Sequence, residues 1–130
     1  MGVCKIGRPI YIEQSGRINP TKIWEVVDEY YLWMSFYQSY ELLNKLHFMA
    51  CSKVANKQIA HTFSILDMTG FSIGMMNKRV YSLVQHASKI TQDYYPESLG
   101  QLLIVNAPYL FSGVWAIVKG WLDEKTRKKI

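Results

Sequence analysis

Prolines number 4, cysteines 2 and histidines 3 in this chain of 130 residues, and charged side chains make up only 19% of it. Each shortage excludes something. With no Pro/Gly/Ser-rich tract, internal repeat or low-complexity run, the sequence has no segment that reads as a linker, and its length suits one domain rather than two cores. Cys4 and Cys51 stand far apart and form no C-x-x-C. They are neither a disulfide framework nor a thiol redox motif, and they point to a reducing, intracellular setting. His47, His61 and His86 have no metal-ligand spacing with cysteine or acid, so no metal site is expected. No apolar run approaches the roughly 20 residues of a membrane-spanning helix. Met1-Gly2-Val3-Cys4-Lys5 lacks the apolar stretch of a secretory signal, and Ile6 stands where a myristoylation motif needs Ser or Thr.

Catalytic motifs are equally scarce. Asp67-Met68-Thr69-Gly70 has the D-x-x-G pattern of a nucleotide switch loop, but no G-x-x-x-x-G-K-[ST] occurs to cradle phosphates. The simpler reading is an aspartate capping a strand end before a glycine turn. Six residues after Cys51, where a phosphatase loop needs arginine, stands Lys57, and Cys51 reads as a buried structural thiol. There is no G-x-S-x-G elbow. Neither an RNP-type aromatic motif nor a basic recognition helix appears, so nucleic acid is not an expected partner. The sequence argues against an enzyme.

What is present is aromatic and mildly basic. Aromatic residues reach 14%, and the formal charge is +5. Trp24, Tyr30, Tyr31, Trp33, Phe36, Tyr37 and Tyr40 fall in one short stretch, either as core packing or as the wall of an apolar cavity. Lys125, Arg127, Lys128 and Lys129 gather at the end, as a solvated face or as a surface for phosphate groups.

The pattern of elements is α/β. Gly7-Arg8-Pro9 is a turn, residues 10–13 read as a strand, and Ser15-Gly16 ends it. Asn19-Pro20 opens a helix whose apolar face runs Ile23, Val27, Tyr30, Met34, Tyr37, with Trp33, Tyr37 and Tyr40 beside it, to about Phe48 as one helix or two. Residues 49–60 read as a short helix or loop. A strand over 61–67 places Thr62, Ser64 and Leu66 on one face. Ser72 caps the next helix, with Met76, Val80, Val84, Ala87 and Ile90 or Thr91 inward, and Tyr94-Tyr95-Pro96 stops it. Leu102 to Val105 reads as a strand buried on both faces. Tyr109 to Leu122 reads as a helix apolar nearly all round, with both sides meeting protein or ligand. Asp123 caps a last helix. Strand, helix and strand over 61–105 have the length of a βαβ crossover, which implies a mainly parallel sheet.

Several motifs, taken in order, resemble one family. Gly7-Arg8-Pro9-Ile10-Tyr11-Ile12-Glu13 is similar to the opening of the CRAL-TRIO lipid-binding domain. Ala50-Cys51-Ser52, Ile65 to Gly70, Gln92 to Glu97, Asn106-Ala107-Pro108 and Leu122-Asp123 with Thr126, Lys129 and Ile130 follow in the family's order. The subgroup most resembled is the Sec-fourteen-like phosphatidylinositol/phosphatidylcholine transfer proteins. The resemblance divides the chain into a short leader, 1–6, and a partial lipid-binding domain, 7–130.

The resemblance implies a non-enzymatic lipid carrier with no cofactor and with a phospholipid as ligand. Its sheet would floor an apolar pocket, and the protein would be cytoplasmic, peripheral on Golgi or other internal membranes and in transient contact with their surface. Two acyl chains hold roughly 30 carbon groups, each worth about 0.8 kcal/mol on burial, so extracting them from a bilayer calls for such a wall. By resemblance, Glu97, Thr126 and Lys129 hold an inositol phosphate headgroup, with Thr126 and Lys129 on one helix face. Thr62 and Ser64 bind a choline phosphate, and Tyr11 and Tyr40 contact the choline cation. Ser98 and Gln101 stand where the family carries Arg and Lys, which removes positive charge. One extra residue lies between Gly70 and Tyr94. Relative to the family, the small N-terminal helical domain and the gate helix with further sheet are lacking. An unlidded pocket would expose an apolar wall, and the alternative expectation is a truncated interaction module that self-associates or adheres to membranes around Trp115 and Trp121.

Overall fold

β1 (Ile10–Glu13) forms where β-branched residues and a tyrosine follow the first turn. The computed structural model describes residues 2–130; Met1, the first residue of the expected leader, lies outside the described residues. Gly7 N donates to the Cys4 carbonyl at 2.8 Å, and Val3 bridges Pro9 in antiparallel fashion. After β1 a 3₁₀ turn, Ser15–Arg17, presses against the end of the next strand. A Cβ on Gly16 would lie 2.4 Å from the Met68 carbonyl, so this approach admits only glycine.

α1 (Pro20–Val26) starts as expected: Asn19 Oδ1 accepts from Lys22 N at 3.1 Å, with Pro20 in the first turn. The long helical stripe is then broken. Val27 is extended, and Asp28 caps α2 (Glu29–Leu42) by accepting from Tyr30 N at 2.8 Å. A short acidic side chain competes for backbone N–H groups and restarts the helix. Val27 therefore leaves the face, and Tyr30 and Met34 are 64% and 38% exposed. The neighbouring stripe, Trp33, Tyr37 and Tyr40, is the half-buried one. A π turn, Leu43–His47, leads into α3 (Phe48–Ala55), which ends on left-handed Asn56. The stretch that reads ambiguously from sequence is thus helical to Ala55. Phe48 and Cys51 pack with Ile59 in a small core, and Cys51 is a buried free thiol there.

β2 (Thr62–Asp67) and β3 (Leu99–Val105) flank the long α4 (Lys78–Tyr94), and the sheet is parallel throughout in the order β1-β2-β3. Tyr11 is opposite Ser64, which is opposite Leu102. Thr62 and Ser64 thus share a face with Tyr11, and the row Ile12–Ile65–Leu103 occupies the other face. A bulge leaves Gly100 as the extra residue, since Thr62 faces Leu99 and Phe63 faces Gln101. At the end of β2, Asp67 Oδ1 accepts from Thr69 N, Thr69 Oγ1 and Asn106 Nδ2 at 3.0, 2.7 and 2.9 Å, and Gly70 turns at φ 88°.

Three expectations are corrected. Asn77 caps α4, accepting from Arg79 N and Val80 N at 3.0 Å each, whereas Ser72 heads only a 3₁₀ turn, Ile73–Met75. Val80, Val84, Ala87 and Ile90 form the inward face of α4 as expected, ending in Ile90 at 4% exposure, whereas Met76 lies before the helix. β3 starts at Leu99 and is not buried on both faces. Leu103 is 39% exposed, because the sheet face it shares with Ile12, itself 64% exposed, is left open there. α5 (Phe111–Val118) is shorter than its apolar run and continues as a 3₁₀ turn, Lys119–Trp121. Only one side of α5 is packed: Val114 is 3% exposed, while Ile117 is 48% exposed. α6 (Glu124–Arg127) is capped by Asp123 as expected.

Candidate functional site

The hydroxyls of Thr62 and Ser64 lie 3.4 Å apart on β2, and both residues are buried. Thr62 Oγ1 is also 3.3 Å from the Ser98 carbonyl, which takes the Thr62 N–H at 2.8 Å. Strand alternation brings these two hydroxyls to one face, and the β1–β2 register adds Tyr11 directly across from Ser64. Tyr11 Oη donates to Glu13 Oε2 at 2.7 Å, and Ser15 Oγ donates to Glu13 Oε1 at 2.6 Å. Desolvation pushes the Tyr11 hydroxyl well above the usual phenol range, and the Glu13 hydrogen bond adds to it.

Tyr40 arrives from α2, stacked on Tyr95 with ring centroids 4.7 Å apart. Tyr95 Oη donates to Glu41 at 3.1 Å, and Glu41 pairs with Lys45 at 2.8 Å. The Tyr40 hydroxyl is pushed up to about 12, first by burial and then by Tyr95 and Glu13. Of the four residues expected at the choline phosphate, Tyr11, Thr62 and Ser64 share one face of the sheet, whereas Tyr40 comes from α2 and is seated against Tyr95.

The second cluster forms at the start of β3. Glu97 has a positive φ of 66°, which turns its carboxylate toward α6. Lys129 Nζ and Lys125 Nζ donate to its two oxygens at 3.2 and 3.3 Å. These lysines hold the Glu97 carboxyl below its usual value, Lys129 most. Lys129 is the more enclosed of the two, its side chain 22% exposed against 81% for Lys125. The Lys129 carbonyl accepts from Leu102 N at 2.7 Å, which fastens the basic segment to β3. Gln92 does the same from α4, donating to the Trp121 carbonyl at 3.2 Å and accepting from Asp123 N at 2.7 Å.

Thr126 is held differently. Its hydroxyl donates to Asp123 Oδ2 at 2.7 Å and its N–H to Oδ1 at 2.9 Å, so it completes the cap of α6. Because α6 ends at Arg127, Lys129 lies beyond the helix, and the two side chains have different partners. The structure brings Glu97 and Lys129 together and leaves the Thr126 hydroxyl on Asp123.

Two surface clefts lie elsewhere. One of about 390 Å³ is bounded by Trp24, Trp33, Arg79 and His86, with the Arg79 guanidinium 3.8 Å over the Trp24 ring. The other, about 400 Å³, lies between residues 16–21 and parts of 70–77. Neither is lined by the headgroup candidates. Among the described residues no group of three or more His, Cys, Asp or Glu could hold a metal ion.

Residues 2–130 match the profile of the CRAL/TRIO domain. The chain belongs to the CRAL/TRIO family. This CRAL/TRIO chain is 40% identical over 124 residues to the Sec14 cytosolic factor of Schizosaccharomyces pombe, covering 95% of the chain and 43% of that protein. It is 40% identical over 129 residues to the phosphatidylinositol/phosphatidylcholine transfer protein SFH9 of Arabidopsis thaliana, covering 99% of the chain and 22% of that protein. The crystal structure of Sfh5 superposes with a TM-score of 0.69 at 24% identity, over 92% of this chain and 40% of that one, which shows the shared fold. The CRAL/TRIO chain therefore spans less than half the length of these relatives.

Sequence reasoning missed three members of the CRAL/TRIO clusters. Lys125 occupies a variable place in the L-D-x-x-T-x-x-K segment, and only the fold brings it to Glu97. Tyr95 had a signal, since Tyr94-Tyr95-Pro96 marks a helix end, but its stacking on Tyr40 spans 55 positions. Glu13 stands in the opening motif, two residues after Tyr11, and strand alternation alone puts the two on one face.

Proposed function

We propose that this chain binds a phospholipid, phosphatidylinositol or phosphatidylcholine, against its parallel sheet and moves it between membranes as a cytoplasmic carrier rather than an enzyme. The observation that carries the reading is the buried Thr62–Ser64 hydroxyl pair, with Tyr11 directly across from Ser64 in the register of β1 and β2. Hydroxyl donors suit a phosphate, and tyrosine rings suit a quaternary ammonium. Glu97 with Lys129 supports the inositol phosphate alternative, where Lys129 supplies the charge and Glu97 can accept from sugar hydroxyls. Thr126 would join that headgroup only by turning its hydroxyl from Asp123. The names of relatives as phosphatidylinositol/phosphatidylcholine transfer proteins agree with both headgroups.

The test is native mass spectrometry of the purified chain after mixing with vesicles of defined composition, with the bound species released and identified. One phospholipid per chain is the expected result. A folded chain that carries no lipid would replace the carrier by an adhesion module. Two headgroup sites also predict separable losses. Lys129→Ala should lower phosphatidylinositol uptake about tenfold and spare phosphatidylcholine, while Thr62→Val with Ser64→Ala should do the reverse. Equal loss of both lipids in both variants would remove the two-site assignment.

A further inference from the structure

We propose that the cleft between α1, α2 and the first turns of α4 is a second ligand site, built for a phosphate ester that carries hydroxyls, a polyol phosphate. It lies apart from the sheet, and none of its walls belongs to the headgroup candidates. At about 390 Å³ it has the size of a small-molecule site. Lys78 and Arg79 line it and open α4, a helix of 17 residues with no acid in its first turn. Cations add to the positive field of a helix start instead of opposing it, so the arrangement is unfavourable until an anion joins it. The chain supplies none. Among the described residues the ion pairs are those of Glu41, Glu97 and Glu124, and neither Lys78 nor Arg79 takes part in them.

Side chains rather than backbone are left to meet that anion, because Asn77 Oδ1 already accepts from Arg79 N and Val80 N. Arg79 is oriented by stacking, its guanidinium 3.8 Å over the Trp24 ring, and the stack leaves the N–H edge for oxygen acceptors. Trp24 Nε1 is buried without an acceptor in the chain, a state that calls for one from outside. Ser82 lines the cleft one turn further along α4. The hydroxyls of Ser39, Ser52, Ser88 and Thr91 donate to the carbonyl four residues back, whereas that of Ser82 has no partner among the described residues. The wall from α2 differs. There Glu29 accepts from Trp33 Nε1 at 3.4 Å and has no cation partner. A bare phosphate would meet only repulsion from Glu29. A phosphorylated polyol places its phosphate on Lys78 and Arg79 and gives Glu29 hydroxyl donors.

The same chemistry is offered by a soluble ester and by a lipid headgroup, so the experiment has two arms. In the first, glycerol 3-phosphate is titrated into the chain and the tryptophan indole N–H resonances are followed by NMR. Those of Trp24 and Trp33 should move saturably, while those of Trp115 and Trp121, outside the cleft, should stay. In the second, the chain is sedimented with phosphatidylcholine vesicles with and without phosphatidylglycerol. Lys78→Gln with Arg79→Gln should weaken binding about tenfold in whichever arm shows it. Loss in the first arm alone assigns a soluble ester, and loss in the second assigns a lipid headgroup. A double variant that matches wild type in both arms overturns the site, as does a wild type that binds in neither or one in which all four indoles move alike. If the double variant fails to fold by circular dichroism, Lys78→Gln alone, which leaves the Trp24 stack in place, decides.

Discussion

Asp67 ties two loops together, since one oxygen accepts from Thr69 and from Asn106. Its carboxyl is lowered from 3.8 to about 2, first by the Asn106 hydrogen bond and then by those of Thr69. A carboxylate depressed in the folded state adds stability above its unfolded pKa and loses it as the pH falls through the folded one. The contribution of Asp67 is therefore complete above 3.8 and gone below about 2. Asp67→Asn should flatten that part of a plot of thermal midpoint against pH, and an acid limb identical to wild type would refute the link. The turn at Asp67 was legible because its chemistry is local: aspartate, threonine and glycine within four positions. Asn106 was not, because it reaches Asp67 only once β2 and β3 lie side by side.

Elements divide in the same way. Helix starts are read from a side chain and the N–H groups two or three residues on, so Asn19 and Asp123 were recoverable as caps. Ser72 was misassigned because a serine and an asparagine both precede α4, and only the backbone path decides which one heads it. Asn77→Ala should cost about 1 kcal/mol in urea unfolding, and Ser72→Ala should stay within about 0.5 kcal/mol. The reverse order would restore the sequence reading. Ile90 is the buried residue of α4, at 4% exposure, and Ile90→Ala should cost about 2–5 kcal/mol. A loss below about 1 kcal/mol would mean that this face packs loosely. The break at Val27 shows the opposite limit: apolar spacing continues through a position where Asp28 restarts the helix.

As a whole the molecule exposes 8760 Å², against about 7,100 Å² for a folded monomer of 15.1 kDa. Tyr109, Leu110 and Ile117 near α5, and Ile12 and Leu103 on one sheet face, contribute apolar area to that excess. Large exposed apolar patches bind ligands, partners or membranes. The lipid-free chain should bind an apolar dye and sediment faster as its concentration rises, and a loaded chain should do less of both. A dye-negative monomer at all concentrations would contradict this. Parallel strands joined by α4 were foreseeable from sequence, because strand and helix periods are properties of neighbouring residues. The exposure of β3 and of α5 was not, because an apolar run has the same composition whether or not another element covers it. Motif order likewise determined the family, and the types of Tyr11, Thr62, Ser64, Glu97 and Lys129 determined what chemistry they could offer. Tertiary structure alone decided that Lys125 joins Lys129 on Glu97 and that Tyr40 stacks on Tyr95. Those contacts depend on strand register and helix ends, which arise from packing across the whole chain rather than from any local run of residues.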